Sequence, residues 1–326
     1  MTQMEIKNMI AEIKTKLDAA GGLKHVYFVA CGGSKAAIFP GLYLLQSEAE
    51  TFSASTYNSS EFVNATPKQL GKNTLAVICS LKATAETVEA VKVANAAGAI
   101  TIAMTGSLST GMAKVGQYVV TYSNGDDQVY SDSNQSNSLR IGFELLHQIE
   151  NWANYDKAMA AYAHIDAIVA EGKQAKLAAA QAWAQRVKDE PVFYVLAAGA
   201  NYGVAYSMCC CHFMEMQWKH AVCLHTGEYF HGPFETTDKQ LPMVLLMGEG
   251  RTRALDERGL KFLKTYAENY IVIDFRELNA GRIDADVAEY FSPVVMIPIE
   301  RYYVSQLAEA TGHSMDERRY MWKVEY

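Results

Sequence analysis

The sequence predicts an α/β protein of two similar domains in tandem, each a three-layer α/β/α unit around a parallel sheet. Three observations carry this prediction. Apolar runs of strand length, such as His25-Val26-Tyr27-Phe28-Val29-Ala30-Cys31, are continuous rather than alternating, as strands buried on both faces of a parallel sheet are. Helix-length segments separate these runs, so the strands are joined by right-handed crossovers. The opening pattern then returns: Phe193-Tyr194-Val195-Leu196-Ala197-Ala198-Gly199 aligns with Val26-Tyr27-Phe28-Val29-Ala30-Cys31-Gly32 as strand then glycine, and a helix follows each.

Element by element, residues 1–20 read as an amphipathic helix that ends at Gly21-Gly22. Residues 25–31 form the first strand, and Gly32-Gly33-Ser34 turns into a helix over 35–49. Further strands fall at 51–57, 74–80, 100–105 and 118–122, with a helix at 86–97. From 138 to about 186 the pattern is helical and Ala-rich, with Gly142 and Gly172 as its breaks, which suits a connection between two halves. In the second half, strands at 242–247 and 270–274 take the places of 74–80 and 100–105. The expected layout is therefore an N-terminal helix (1–20), a first domain (21–150), a helical connector (151–186), a second domain (187–310) and a C-terminal tail (311–326).

At 326 residues the chain is long enough for two cores, and half of it is hydrophobic, an ordinary globular balance without a disorder signature. A net charge of -7 argues against a general affinity for nucleic acid or an anionic membrane, so any phosphate site must be local. The N-terminus lacks the basic start and apolar centre of an export signal, and no apolar run reaches the roughly 18–20 residues that span a bilayer. The cysteines, Cys31, Cys79, Cys209, Cys210, Cys211 and Cys223, sit in apolar segments and read as reduced core thiols of a cytoplasmic protein. Cys209-Cys210-Cys211-His212 does not read as a zinc site, because adjacent helical side chains point about 100° apart and cannot converge on one ion. No metal and no cofactor are expected.

Three constellations could carry chemistry. Cys31-Gly32-Gly33-Ser34 lies where a strand ends and a helix begins, a place where backbone N–H groups and the helix dipole favour an anion, although glycines there also serve tight geometry alone. It is neither a dinucleotide fingerprint nor a P-loop, so NAD and ATP are not expected. Ser80-Leu81-Lys82-Ala83-Thr84 ends another buried strand, so its hydroxyls and ammonium can share a crevice with Ser34; Ser and Thr also cap helices, but two such loops on one sheet edge favour a small phosphorylated ligand. Glu215 is the only acid between Glu190 and Glu228 and lies in the apolar run 208–218. A carboxylate there is expected to lose hydration and to suit a general base, with His231 in the loop Gly227-Glu228-Tyr229-Phe230-His231-Gly232-Pro233 as its acid partner. Glu228 and Glu235 bracket that histidine and could fix its tautomer.

Together, Val29-Ala30-Cys31-Gly32-Gly33-Ser34, Ser59-Ser60-Glu61-Phe62, Ser80-x-Lys82-x-Thr84, Gly227-Glu228-x-x-His231-Gly232-Pro233 and the tail Asp316-Glu317-Arg318-Arg319-Tyr320 with Val324-Glu325-Tyr326 resemble the sugar isomerase (SIS) family, in family order over nearly the whole chain. Within it the chain is most similar to the fructosamine (fructoselysine) 6-phosphate deglycases, and more distantly to the isomerase half of glucosamine 6-phosphate synthase, whose glutaminase domain is not expected here. The resemblance implies two tandem SIS domains, each doubly wound and flavodoxin-like. It implies that Ser34, Ser80 and Thr84, with Gly33 and Lys82, hold a sugar phosphate, Lys82 replacing the second serine of the usual loop. Ala83 stands where glycine is usual, and the loop is one residue short near Thr84 and Ala85. It further implies Glu215 as the proton-transferring base, His231 as the acid, Lys323 near the reacting sugar, and Glu61 and Glu228 elsewhere in the substrate pocket. The activity implied is cleavage of a 6-phosphorylated Amadori product to glucose 6-phosphate and an amino acid, in a homodimer or larger homo-oligomer whose subunits share active sites. An aldose-ketose or aminosugar 6-phosphate isomerase is the alternative, and a non-catalytic sugar-phosphate sensor is a third reading.

Overall fold

The computed structural model describes residues 3–123, 125 and 127–325; Met1, Thr2 and Tyr326, at the ends of the expected first helix and tail, lie outside the described residues. The chain divides into two compact units, Met1–Ala163 and His164–Tyr326, so the division falls within the stretch that the sequence reads as a connector.

The first unit holds strands β1 (His25–Val29), β2 (Ser53–Tyr57), β3 (Thr74–Cys79), β4 (Ile100–Thr105) and β5 (Tyr118–Thr121). All pair in parallel in the order β2-β1-β3-β4-β5. Every residue of β3 and β4 is buried, which is why those runs are apolar without alternation. One face of the sheet presents Tyr27, Val29, Ala76, Ile78 and Ala103 to a core shared with Phe62, Ala90, Val91, Ala94 and Met112, from the helices Ser59–Asn64, Ala85–Ala96 and Gly111–Val115. The helices Gly32–Glu48 and Asn134–Glu150 pack on each other, and Gln3–Ala19 packs on the latter. Their approach is close at Gly41, where an added Cβ would stand 2.5 Å from the carbonyl and hydroxyl oxygens of Ser138, and the Ser138 hydroxyl donates to the Ile38 carbonyl at 3.1 Å.

The second unit repeats the plan with β6 (Val192–Ala197), β7 (His220–His225), β8 (Met243–Met247) and β9 (Tyr270–Asp274), all parallel in the order β7-β6-β8-β9. The edge strand β7 is absent from the sequence reading. Its apolar run, Ala221-Val222-Cys223-Leu224, is short, is closed by a histidine at each end, and is partly exposed at the sheet edge. Helix Ile165–Val187 belongs to this unit and lies along the long helix Ala285–Thr311, with Gly172 facing Ile299. Between β6 and β7 the chain forms a short α-helix, Tyr202–Ser207, and then a nine-residue π-helix, Met208–Met216. Sequence periodicity gives no warning of this winding, which is rare and is found disproportionately at functional sites.

Asp256 is fully buried in the second unit, where its carboxylate accepts from the Thr226 hydroxyl (2.8 Å) and the Gly248 N–H (3.3 Å). Burial outweighs these bonds and pushes the carboxyl up from 3.8 to about 6. The folded state thus holds this proton more tightly than the unfolded chain does. The associated stability is fully present below about pH 3.8 and is lost as pH rises through about 6, by about 2–3 kcal/mol. Asp256→Asn removes the titration, so wild type should lose that much stability relative to the variant between pH 4 and pH 7. Denaturant unfolding of both proteins at the two pH values measures it; a difference independent of pH would contradict the assignment.

Candidate active site

In the first sheet the chain moves from β1 to β2 on one side and from β3 to β4 on the other, so the adjacent carboxyl ends of β1 and β3 form the switch point, where ligands bind in such folds. The loops after these two strands carry the phosphate-site residues named from the sequence. After β1, Gly32 takes a left-handed φ of 52° and opens the helix Gly32–Glu48, and Cys31 caps that helix with no side-chain bond. The first N–H groups of the helix are therefore not met by a capping side chain. Gly33 is exposed and Ser34 is partly buried, and the buried Cys79 thiol donates to the Tyr122 hydroxyl at 3.6 Å. Burial pushes the Cys79 thiol up to about 12, so it is a neutral donor.

After β3, the buried Ser80 hydroxyl accepts the Thr84 N–H at 3.3 Å and closes the loop on itself. Thr84 Oγ1 lies 3.0 Å from Thr87 Oγ1, which lies 2.9 Å from Ser59 Oγ, and the Ser59 N–H donates to Cys31 Sγ at 3.3 Å. Loops from three successive strands are tied together by hydroxyls and one thiol. Lys82 is exposed on the same turn. Ala83 has φ 53°, a left-handed conformation that costs a non-glycine residue about 1–2 kcal/mol, so it bears the strain of a position where the resemblance implies glycine. Glu61 is exposed and accounted for locally: its N–H and carboxylate both bond the Asn58 side chain, at 2.8 and 3.0 Å, at the start of the helix Ser59–Asn64.

In the second unit Glu215 lies near the end of the π-helix, and its surroundings correct the expectation of a dehydrated carboxylate among apolar groups. Arg318 of the tail donates from Nε to Glu215 Oε1 at 2.9 Å, and its Nη2 forms an ion-pair contact with the same oxygen at 2.8 Å. The arginine side chain is 10% exposed and the glutamate side chain 23%. Arg318 Nη1 in turn donates to the carbonyls of Met315 (2.8 Å) and Glu317 (2.9 Å). Gln217 Nε2 reaches the His313 carbonyl at 3.0 Å, and the Arg319 guanidinium lies 4.3 Å over the Trp218 ring. The tail is thus docked on the end of the π-helix. A partner 103 residues away in sequence is invisible to any local pattern, and Arg318 is the residue that sequence reasoning quoted but gave no role.

Lys323 donates to the Arg318 carbonyl. His231 is exposed, and the loop beneath it is fixed by Tyr229, which is fully buried against Phe230, Phe234 and Phe262 and bonds the Thr237 hydroxyl. This aromatic plug anchors the turn and presents the imidazole outward. Glu228 and Glu235 are exposed on either side. Among the described residues no hydrogen bond or ion pair joins Glu215 to His231, and no group of three or more His, Cys, Asp or Glu side chains is arranged to hold a metal.

The corresponding switch point of the second sheet, between β6 and β8, is occupied by the chain's own side chains. An added Cβ at Gly199 (φ 55°) would stand 2.2 Å from Thr252 Oγ1, and one at Gly250 would stand 2.6 Å from Glu289 Cβ. Arg253 is committed to the protein itself: it forms a paired fork on Asp274 at 2.8 and 2.7 Å and donates to the Gly248 carbonyl.

Two parallel-sheet units with a Ser/Thr-lined loop at one switch point define a protein of two tandem SIS domains. A candidate phosphosugar isomerase from Bacillus subtilis has this fold, with a TM-score of 0.95 and 37% identity over 99% of this chain and 97% of that one. No protein-family model matches the sequence. The chain is 38% identical to fructosamine deglycase FrlB of Bacillus subtilis, over 99% of its own length and 97% of the relative's. It is 25% identical to fructoselysine 6-phosphate deglycase of Escherichia coli, over 96% of this chain and 94% of the relative. The chain belongs to the fructosamine deglycase family.

Proposed function

We propose that this chain is a fructosamine 6-phosphate deglycase, which takes a 6-phosphorylated 1-amino-1-deoxyfructose bearing an amino acid and releases glucose 6-phosphate and that amino acid. The observation that carries the reading is the 38% identity to a fructosamine deglycase across 99% of the chain. The loops at the first switch point suit the 6-phosphate: the helix start after Cys31 with Ser34, the Ser80–Thr84 turn, and the exposed ammonium of Lys82 form charge-assisted bonds to it. Anchoring the remote end lets binding energy position the reacting carbons.

In the chemistry assigned here, His231 protonates the ring oxygen as the sugar opens. His231 takes up the proton that the C2 hydroxyl releases on ring opening and delivers it to O2 as Glu215 takes a proton from C1, giving an enaminol; Glu215 then returns its proton to C2, which leaves a protonated Schiff base between C1 and the amino-acid nitrogen. Water adds to C1, the C–N bond breaks, and the nitrogen leaves protonated as the free amino acid. The net change is a hydrolysis built on an isomerisation, and it draws on no cofactor. An outward-facing His231 fits a site completed by a neighbouring subunit in a homodimer or larger homo-oligomer. The reading places the enzyme in the cytoplasm, without nucleic-acid or membrane partners; all six cysteines are free, and among the described residues no helix is long and apolar enough to cross a membrane.

Incubation with a panel of 6-phosphorylated fructose–amine adducts, followed by assay of both glucose 6-phosphate and free amino acid, tests the proposal. Equal release of the two supports it. Interconversion of free hexose 6-phosphates without amine release would identify an isomerase instead, and binding of the adducts without turnover would identify a sensor.

A further inference from the structure

The resemblance places a tail lysine beside the sugar, but the geometry of the tail points elsewhere. Arg318 has five N–H groups, of which Nε donates to Glu215 and Nη1 donates to two tail carbonyls, while Nη2 rests in ion-pair contact with the same glutamate oxygen, so the guanidinium is committed within the protein. A guanidinium committed in this way holds its partners more than it could hold a ligand. Both contacts to the glutamate land on the same oxygen, Oε1, and among the described residues Oε2 has no hydrogen-bond partner. Lys323 closes the arrangement from behind by donating to the Arg318 carbonyl, and the Gln217 amide ties the same tail segment to the end of the π-helix through the His313 carbonyl.

Resting on the function proposed above, we infer that Arg318 is a positioning residue for the general base: it fixes the Glu215 carboxylate by Oε1 and leaves Oε2 as the atom that moves the proton between C1 and C2, with Lys323 holding Arg318 rather than touching the sugar. The C-terminal tail is then part of the catalytic apparatus through the base. A proton transfer at carbon depends steeply on the direction of the accepting lone pair, and a glutamate side chain released from its clamp samples several rotamers.

The test uses the full-length protein and the fructose–lysine 6-phosphate adduct, with wild type, Glu215→Gln, Arg318→Ala and Arg318→Lys in one assay. Arg318→Ala should lower kcat by about 30-fold or more with KM changed less than about threefold, as expected for an interaction that serves the transition state alone. Added guanidinium should restore part of that rate, urea at the same concentration should not, and Arg318→Lys should fall between the alanine variant and wild type. A kcat for Arg318→Ala within about threefold of wild type, or a raised KM with kcat kept, would overturn the inference. So would a loss of rate that neither lysine nor guanidinium relieves, since that marks a structural role. Should Arg318→Ala fail to fold, Arg318→Lys decides: a lowered kcat with unchanged KM supports the inference, and wild-type kinetics refute it. If wild type itself releases no amino acid, or Glu215→Gln retains activity, the functional reading fails instead, and the two failures are told apart within the same experiment.

Discussion

Glu215→Gln should reduce turnover by at least about a thousandfold while sugar-phosphate binding is retained, because the amide is nearly isosteric with the carboxylate but cannot accept the C1 proton. The phosphate anchor assigned to the Ser34 and Ser80–Thr84 loops is untouched by the change. Isothermal titration with glucose 6-phosphate should therefore give a Kd close to that of wild type, and the loss should lie almost wholly in kcat. The amide also weakens the contact with Arg318, so a control for fold is needed; the thermal midpoint should fall only modestly, because the amide carbonyl can still accept the Arg318 N–H groups and no buried donor is left without a partner. A variant with near-normal kcat would remove Glu215 from the mechanism. His231→Ala should be inactive for a separate reason, and mixing and reassociating the two dead proteins should recover part of the activity if subunits share sites. No recovery in confirmed mixed oligomers would count against sharing.

Both sheets owe their legibility to one physical fact. A strand covered on both faces has no polar side to show, so β1, β3, β6 and β8 announce themselves as apolar runs, and β4 as one broken by Thr101 alone. The strand β7 has no such cover along its length and is lost among the residues between the π-helix and the histidine loop. The sequence shows that the loops proposed to hold phosphate each follow a buried strand, but that the ends of β1 and β3 are neighbours is known only from the strand order β2-β1-β3-β4-β5. What the chain conceals is every relation that spans long sequence separations. Glu215 looked like a lone acid in an apolar stretch, yet its partner comes from the tail. The strain at Ala83 is likewise a backbone property, and a small residue in a loop does not declare the sign of its φ.

His212→Ala should destabilise the second unit by about 3–5 kcal/mol, the largest stability effect expected of any single change considered for this chain. The imidazole Nδ1 lies 2.8 Å from Glu300 Oε2, with the two side chains 4% and 0% exposed, and this bond joins the π-helix to the long helix Ala285–Thr311. Burial pushes the Glu300 carboxyl up, and among the described residues its second oxygen, Oε1, has no hydrogen-bond partner. Removing the histidine therefore strands a buried acid with neither oxygen satisfied and opens a cavity beside it. The double change His212→Leu with Glu300→Met removes the polar requirement together with both partners and refills the space. It should recover most of the loss, because a buried pair is stabilising mainly by comparison with half of itself. Denaturant unfolding of wild type, His212→Leu, Glu300→Met and the double variant closes the cycle. If the double variant is as unstable as the sum of the singles, the two side chains are energetically independent and the pair is not what joins these helices.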